Sequence, residues 1–560
     1  MSENARSTAL FVIPPFPART YPGRTMGPDY VGSHLRRTCT EAGHLIDDWE
    51  ILDLDVVQPT QREQRLRDKL RGARYAFVGL SYLSFQADEA MAIVSFCADE
   101  LDRIGCRKGF GPQAKEYTPI ICGGRGVTDA DEYADLYPDV DFFVAGQSFH
   151  QPLDSIVHIA RLIAEGRAAD FEARKKLPGI VSFDQASGRL VCNPAHRKPE
   201  YPIDFYFNNL ERKSHHPKYD FDVFYDAVDG RPRKTAQVYT QQGCGHFCSF
   251  CFESLRPEPS EERGIESVVR EVEALVKSGY EGIYFDDSIF TQDRPRTLRL
   301  MKIMGRLHQR FGTVWGFNTR IDALDEGIID AAAENGCVYN FAGVESLVPE
   351  VIEGMNKLSG GRNPHYPPVE NGVDYVRRAK EVFLIMKAKG LPSAVFLIFG
   401  APKRVEGGRI LAASIDDDKR SISESIWGLR PQYLSFNIMR FIPDAAISRI
   451  PLYREYRGGQ DFRGGFYYGK YRAAKGLKIP TTSHPIYEAF ESAGGRYPIP
   501  SNMTPEACYN LLKFMVEQVN EYYRVSGERI VIKTDENFAK RYLARETNGY
   551  YQLTEFEKII

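Results

Sequence analysis

Cys244, Cys248 and Cys251 lie in the run Gln242-Gly243-Cys244-Gly245-His246-Phe247-Cys248-Ser249-Phe250-Cys251, a C-x3-C-x2-C spacing with an aromatic directly before the last thiol. Cysteine thiolates hold iron–sulfur clusters, and a four-iron cube usually takes four of them. Here no fourth cysteine is near: Cys39, Cys97, Cys106, Cys122, Cys192, Cys337 and Cys508 are scattered singly. A compact trio leaves one iron open, which suits a cluster that reacts rather than one that only carries electrons. Zinc is the plain alternative. Zinc sites normally pair two ligands with two more at a characteristic distance, however, and no second C-x-x-C exists in this chain. His246 lies inside the motif, where its neighbours turn it away from a shared metal.

In spacing and surroundings, Cys244, Cys248 and Cys251 resemble the signature of the radical S-adenosylmethionine (SAM) enzymes. The resemblance implies that the three thiolates hold a [4Fe–4S] cluster. SAM would chelate the open iron through its amino and carboxylate groups. One electron would then cleave SAM to methionine and a 5′-deoxyadenosyl radical.

Such a loop needs a scaffold. Around it the sequence alternates short β-rich apolar runs with amphipathic stretches. Strands are expected at 236–240, 282–285, 314–318, 338–344, 393–399 and 432–437, and helices at 265–278, 294–311, 325–335 and 375–389. Six such units predict a partial (β/α)6 barrel with its active groups on the loops after the strands. Polar residues fall at those strand ends. In radical SAM enzymes the end of the second strand meets the SAM amino group, and Asp286 and Asp287 occupy it here. Arg320 follows the third strand and suits a carboxylate, since guanidinium binds it through two parallel hydrogen bonds. Glu345 and Ser346, in "GVES", resemble a family segment near the ribose and methionine portions. Phe399 and Gly400 resemble the turn near adenine. Taken singly, each of these acids, or the arginine, is equally suited to capping a helix or pairing structurally.

The first third of the chain alternates in the same way. Strands are expected at 9–13, 49–54, 75–80, 119–122 and 140–144, with helices at 29–42, 61–71, 88–104 and 129–136. This order predicts a Rossmann-like, doubly wound parallel sheet, in which ligands sit beyond the carboxyl ends of the strands. No G-x-G-x-x-G follows the first strand, which argues against a dinucleotide. The segments "FVIPPFP", "FVGLSYLSFQADEA" and "IICGGRGVTDADEYADLYPDVDFFVAGQS" resemble the cobalamin-binding domain that precedes the cluster motif in one radical SAM subclass, over residues 8–165. The resemblance implies corrin contacts from Pro15, from Ser81, Tyr82, Leu83 and Ser84, from Gly123 and Gly124, and from Ala145, Gly146 and Gln147. Relatives usually carry an acidic residue where Gln147 stands. No D-x-H-x-x-G motif offers a histidine to cobalt, and His34, His44 and His150 have the wrong surroundings. Tyr82, Leu83 and Phe85 are the candidates for the lower corrin face.

The composition fits this reading. With 560 residues the chain is expected to hold two to four domains. Hydrophobic residues make up 43% and charged residues 26%, and the net charge is −3, which gives no case for a nucleic acid or an anionic membrane as partner. No apolar run reaches the length of a membrane span. Scattered cysteines with no secretory signal suit the reducing cytoplasm. The expected layout is a cobalamin-binding domain over 1–192, a linker over 193–230, the partial barrel over 231–445 and a smaller, mainly helical region over 446–560 that closes the site and carries substrate specificity. Within that last part the run "RGGQDFRGGFYYGKYR" interleaves basic and aromatic residues. Such a pattern can bind nucleic acid, but in an acidic chain it is read as a closing loop and helix.

Taken together, the resemblance implies a cobalamin-dependent radical SAM C-methyltransferase. It would move a methyl group from SAM through methylcobalamin to an inert carbon of a small molecule, as in antibiotic biosynthesis, with an external electron donor of flavodoxin or ferredoxin type. Ring closure or rearrangement with the same cofactors is the alternative. A non-catalytic electron carrier or sensor is another. A methylthiotransferase acting on tRNA would want a second cysteine trio and a basic tail, and the sequence has neither.

Overall fold

The computed structural model describes residues 8–15, 27–41, 46–82, 86–107, 117–124, 134–144, 150–184, 187–195, 233–255, 261–359, 364–442, 445–459, 500–533, 543–547 and 550–553, together with the single positions 127, 130 and 231. They fall into two compact units, one built mainly on Arg24–Tyr219, the other on Asp220–Arg463 and Pro480–Ile560. The expected linker lies almost wholly outside the described residues, as does most of the Arg- and Tyr-rich run 457–472.

The first unit contains a seven-stranded sheet. Its strands are β1 (Thr8–Ile13), β2 (Asp48–Asp53), β3 (Val78–Ser81), β4 (Ile120–Gly123), β5 (Phe142–Val144), β6 (Ile180–Asp184) and β7 (Arg189–Cys192), in the order β2-β1-β3-β4-β5-β6-β7. The first five are parallel, as the alternation of strand and helix predicts. The last two run antiparallel and were not anticipated. Strand β1 is buried along almost its whole length, as a central parallel strand covered on both faces must be. The parallel order 2-1-3-4-5 reverses direction between β1 and β3, and in doubly wound sheets that switch point is where a ligand finds a crevice. Deep in the sheet Asp141 accepts hydrogen bonds from Arg174 at 3.0 Å, Arg107 at 3.0 Å and the Ile120 amide at 2.8 Å. Burial pushes its carboxyl up, but the two guanidinium groups outweigh that and hold it below the usual carboxylate range.

The second unit is an open barrel of parallel strands. In spatial order they are β8 (Thr235–Val238), β9 (Gly282–Phe285), β10 (Val314–Arg320), β11 (Cys337–Glu345), β12 (Ser393–Phe399), β13 (Tyr433–Ser435) and, beyond β13, β14 (Val531–Lys533). All six strands expected from the sequence are present. The seventh, β14, comes from the C-terminal region that was expected to be mainly helical. It joins because Ile530 and Ile532 are buried while Tyr433↔Val531, Leu434↔Ile532 and Ser435↔Lys533 pair in register.

Helices begin and end where the sequence supplies caps. Asp293 accepts the Arg296 amide at 2.7 Å to start Arg294–Phe311, and Gly312, at φ 69°, ends that helix in the left-handed conformation glycine adopts freely. Asp325, Asn371, Ser414 and Thr504 cap the helices that follow them in the same way. Phe285, Phe290, Trp315 and Phe317 form one aromatic cluster, with centroid separations from 4.7 to 6.4 Å. Each such pair contributes about 0.5–1.5 kcal/mol beyond its buried area.

Candidate functional site

The cysteine run occupies the loop that leaves β8. Cys244 and Cys248 are buried, Cys251 is half-buried, and none is in a disulfide. Two segments far away in sequence hold the loop. Asp287, just past β9, accepts the Thr240 amide at 2.7 Å, the Thr240 hydroxyl at 2.7 Å and the Gln241 amide at 3.0 Å. On another side the strap 355–359, which follows the short helix Pro349–Gly354, is laced to the loop by several bonds. The Ser249 amide donates to the Met355 carbonyl at 2.8 Å, and the Asn356 side chain donates to the Phe247 carbonyl at 2.9 Å. The Phe247 amide donates to the Ser359 hydroxyl at 2.8 Å, and the His246 ring nitrogen Nδ1 bonds the Ser359 carbonyl. Burial pushes the His246 imidazole down to about 4, so it stays neutral.

Arg320, the last residue of β10, is buried beside this loop. Its Nε and Nη2 donate to Asp322 at 2.8 and 2.7 Å, and its Nη1 donates to Cys248 Sγ at 3.0 Å. Burial pushes Asp322 up, but Arg320 outweighs it and brings the carboxyl to about 2. Burial pushes the Cys244 thiol up to about 11, with Arg320 drawing it partly back. Lys357 pairs with Glu345, and its Nζ stands 5.7 Å from the Phe250 ring centroid. Glu345 itself has φ 63°, and the Ser346 amide donates to the Val344 carbonyl at 2.8 Å across it. This is the strained form of the three-residue γ-turn, and strain of this kind collects at functional sites.

Asp286 faces a different group of partners. Gln237 and Tyr239, spaced by two on and just past β8, donate to its Oδ2 at 3.3 and 3.2 Å. Asn318 of β10 donates to its Oδ1 at 2.9 Å and accepts from the Tyr284 hydroxyl. At the end of β12, Gly400 has φ 68°. Its amide donates to Asp418 at 3.0 Å, and its carbonyl accepts from Tyr456 at 2.8 Å. Phe399 is buried against Phe436, with ring centroids 4.8 Å apart.

The expected residues thus separate into groups. Arg320 stands at the cysteine loop, and Asp287 anchors it. Glu345 and Ser346 form the strained turn, Asp286 belongs to the polar cluster on the sheet, and Phe399 and Gly400 lie at a tightly held strand end. Reading the sequence missed Asp322, Lys357 and the strap. It also missed Gln237, Tyr239 and Asn318, although each shares strand parity with a polar neighbour on its own strand, a signal that was present.

In the first unit the switch point is framed by the ends of β1, β3 and β4. The Gln86 side chain donates to the Pro14 carbonyl at 2.9 Å and the Pro15 carbonyl at 3.3 Å. The Tyr82 amide donates to the Gly123 carbonyl at 3.2 Å. A Cβ on Gly124, which has φ 90°, would come within 2.7 Å of the Tyr82 carbonyl oxygen, whereas one on Gly123 would meet nothing within 4 Å. The open space over Gly123, beside Ser81, lets a flat ligand approach the backbone closely. Leu83, Ser84 and Phe85, and likewise Ala145, Gly146 and Gln147, lie outside the described residues.

The donor set at the cysteine loop fits an iron–sulfur cube: three free thiols, two of them buried, with a guanidinium N–H directed at one sulfur. Among the described residues no three His, Cys, Asp or Glu side chains are gathered tightly enough for a single metal ion. A cube takes each thiolate on a different iron and needs no such gathering.

Residues 238–405 match the radical SAM superfamily profile. Tryptophan 2-C-methyltransferase of Streptomyces laurentii is 22% identical over 379 residues, which cover 59% of this chain and 60% of that protein. An uncharacterized methyltransferase of Pyrococcus horikoshii is 29% identical over 147 residues, 26% of this chain and 30% of that protein. The chain therefore spans no more than about 60% of the length of these curated relatives. Among solved structures, the radical SAM methyltransferase TsrM from Kitasatospora setae, with tryptophan substrate and a SAM analog bound, superposes with a TM-score of 0.61 at 16% identity, covering 95% of this chain and 92% of that one. OxsB, a cobalamin-dependent SAM radical enzyme with aqua-cobalamin bound, gives 0.53 at 13% identity, covering 99% and 65%. At these identities the likeness to the solved structures is one of fold.

Proposed function

We propose that this chain, an enzyme whose residues 238–405 form a radical SAM domain, is a cobalamin-dependent C-methyltransferase acting on a small molecule. The observation that carries the reading is the pairing of a C-x3-C-x2-C loop, held by Asp287 and the strap 355–359, with a separate 2-1-3-4-5 sheet whose switch point keeps open space over Gly123. The matched tryptophan 2-C-methyltransferase favours methyl transfer over cyclisation.

The bound cofactors would supply the hard chemistry: one-electron cleavage of SAM at the cluster and carriage of a methyl group by the corrin. The chain's own work is to bind, orient and keep water out. Cys244, Cys248 and Cys251 would hold three irons. Asp286, half-buried and surrounded by donors, would accept an N–H bond from the SAM amino group. The Glu345–Ser346 turn and the Phe399–Gly400 end would flank the nucleoside. We assign Asp287 to the scaffold, because both of its oxygens are engaged within the chain. In the first unit, Pro15, Ser81, Tyr82, Gly123 and Gly124 would line the corrin face. An external one-electron donor and a reducing cytoplasm complete the proposal.

The test is anaerobic reconstitution with iron, sulfide and hydroxocobalamin. About four irons and one corrin per chain are expected, with a CH3 from labelled SAM appearing in product. Exchanging all three cysteines for Ala should remove iron and SAM turnover while corrin still binds. SAM turnover that survives this exchange would refute the reading. A full cluster without corrin would reduce it to an ordinary radical SAM enzyme.

A further inference from the structure

The position of Arg320 is over-determined. Nε and Nη2 grip the two Asp322 oxygens at 2.8 and 2.7 Å, and Nη2 also reaches the Lys357 carbonyl at 2.5 Å. Arg320 is 5% exposed, and the backbone around it is the end of a central strand. A planar fork fixed on one carboxylate cannot turn to a second without breaking the first pair. Nη1 is the donor that points away from Asp322, and it meets Cys248 Sγ at 3.0 Å. Lys357, the other buried cation nearby, is occupied by Glu345.

The potential of an iron–sulfur cluster depends on its net charge and on hydrogen bonds to its sulfurs. Reduction adds one electron and makes the sulfurs more negative. A permanent cation donating to a ligating sulfur therefore favours the reduced form. Asp322 cancels much of the cation's field at a distance, but the directional N–H···S bond still acts on Cys248 itself.

We propose that Arg320 is a positioning residue that donates to the Cys248 sulfur and raises the cluster's reduction potential, with Asp322 as its clamp, and that it does not bind the SAM carboxylate. The inference rests on the cluster reading above. It makes the potential a property of the protein before SAM arrives.

The full chain and its Arg320→Gln and Arg320→Lys variants would be reconstituted anaerobically without SAM or corrin. Iron content would be measured first. The one-electron midpoint potential would then be followed by paramagnetic resonance during dithionite titration, and SAM affinity measured separately. All three proteins should carry the same iron. The midpoint should shift to more negative potential in Arg320→Gln, and less far in Arg320→Lys, which keeps the charge but cannot both grip Asp322 and reach Sγ. An unmoved midpoint in iron-loaded Arg320→Gln overturns the proposal. Weakened SAM binding with that unmoved midpoint would identify Arg320 as the carboxylate ligand. Loss of iron from both variants would make it an assembly residue and equally end the proposal. If the wild-type chain holds no cluster, it is the functional reading that fails.

Discussion

Asp287 holds the start of the cysteine loop, with both carboxylate oxygens engaged by Thr240 and Gln241. Burial outweighs its hydrogen bonds and pushes its carboxyl up to about 6. The folded chain therefore keeps this proton to a higher pH than the unfolded chain, whose aspartate titrates at about 4. Where the native state binds more protons, stability falls as pH rises. Asp287→Ala should cost about 1–3 kcal/mol at neutral pH, because two buried amides lose their acceptor. Relative to that variant, the wild-type chain should lose stability as pH is raised from about 5 to about 7. Urea denaturation at the two pH values would check both statements. At this scale the cysteine trio was legible as a motif, since its spacing is local. Asp287 was visible as a strand-end acid but not as an anchor, because its partners Thr240 and Gln241 are fixed by sheet pairing. Lys357 left no local signal: its position depends on the strap folding back onto the cysteine loop.

Strands and helices were more legible than single contacts, because each carries its own period. All six barrel strands could be read from short apolar runs, whereas the caps Asp293, Asp325 and Asn371 were not, and the helix after Asn371 starts at Gly372 rather than at 375. The antiparallel pair β6 and β7 escaped notice. Most of β7 is exposed, so it lacks the continuous apolar run of a central strand. The strand ends in the first unit give a matched pair of predictions. Gly124→Ala forces a Cβ against the Tyr82 backbone at a positive φ and should cost more than about 1 kcal/mol. Gly123→Ala meets open space and should change stability by no more than about 0.5 kcal/mol. The informative measurement is corrin affinity alongside thermal unfolding. Gly124→Ala should lose both stability and corrin. Gly123→Ala should unfold normally yet bind corrin more weakly, because its methyl group fills the open space.

At the scale of the whole molecule the α/β class followed from counting alternations, and no helix among the described residues is long and apolar enough to cross a membrane. The unforeseen part was the return of the C-terminal region to complete the sheet. Its three-residue strand is too short to announce itself, and it is recognisable only by what it covers. Removing residues 527–560 would expose the β13 edge and the apolar surface covered by Ile530 and Ile532, worth about 1.5–3 kcal/mol for each side chain. The shortened protein should associate through that edge and unfold at lower temperature, as size-exclusion chromatography and calorimetry would show. Lys533→Ala, which keeps the strand, should do neither. The late arrival of β14 also has a consequence for biosynthesis. During translation Ser435 leaves the ribosome long before Val531, so the nascent sheet waits with one flank bare while the cysteine loop is already outside the exit tunnel. Metal loading and chaperone protection would then compete for the same half-built intermediate, and yield in the cell should respond to how quickly the last strand is made.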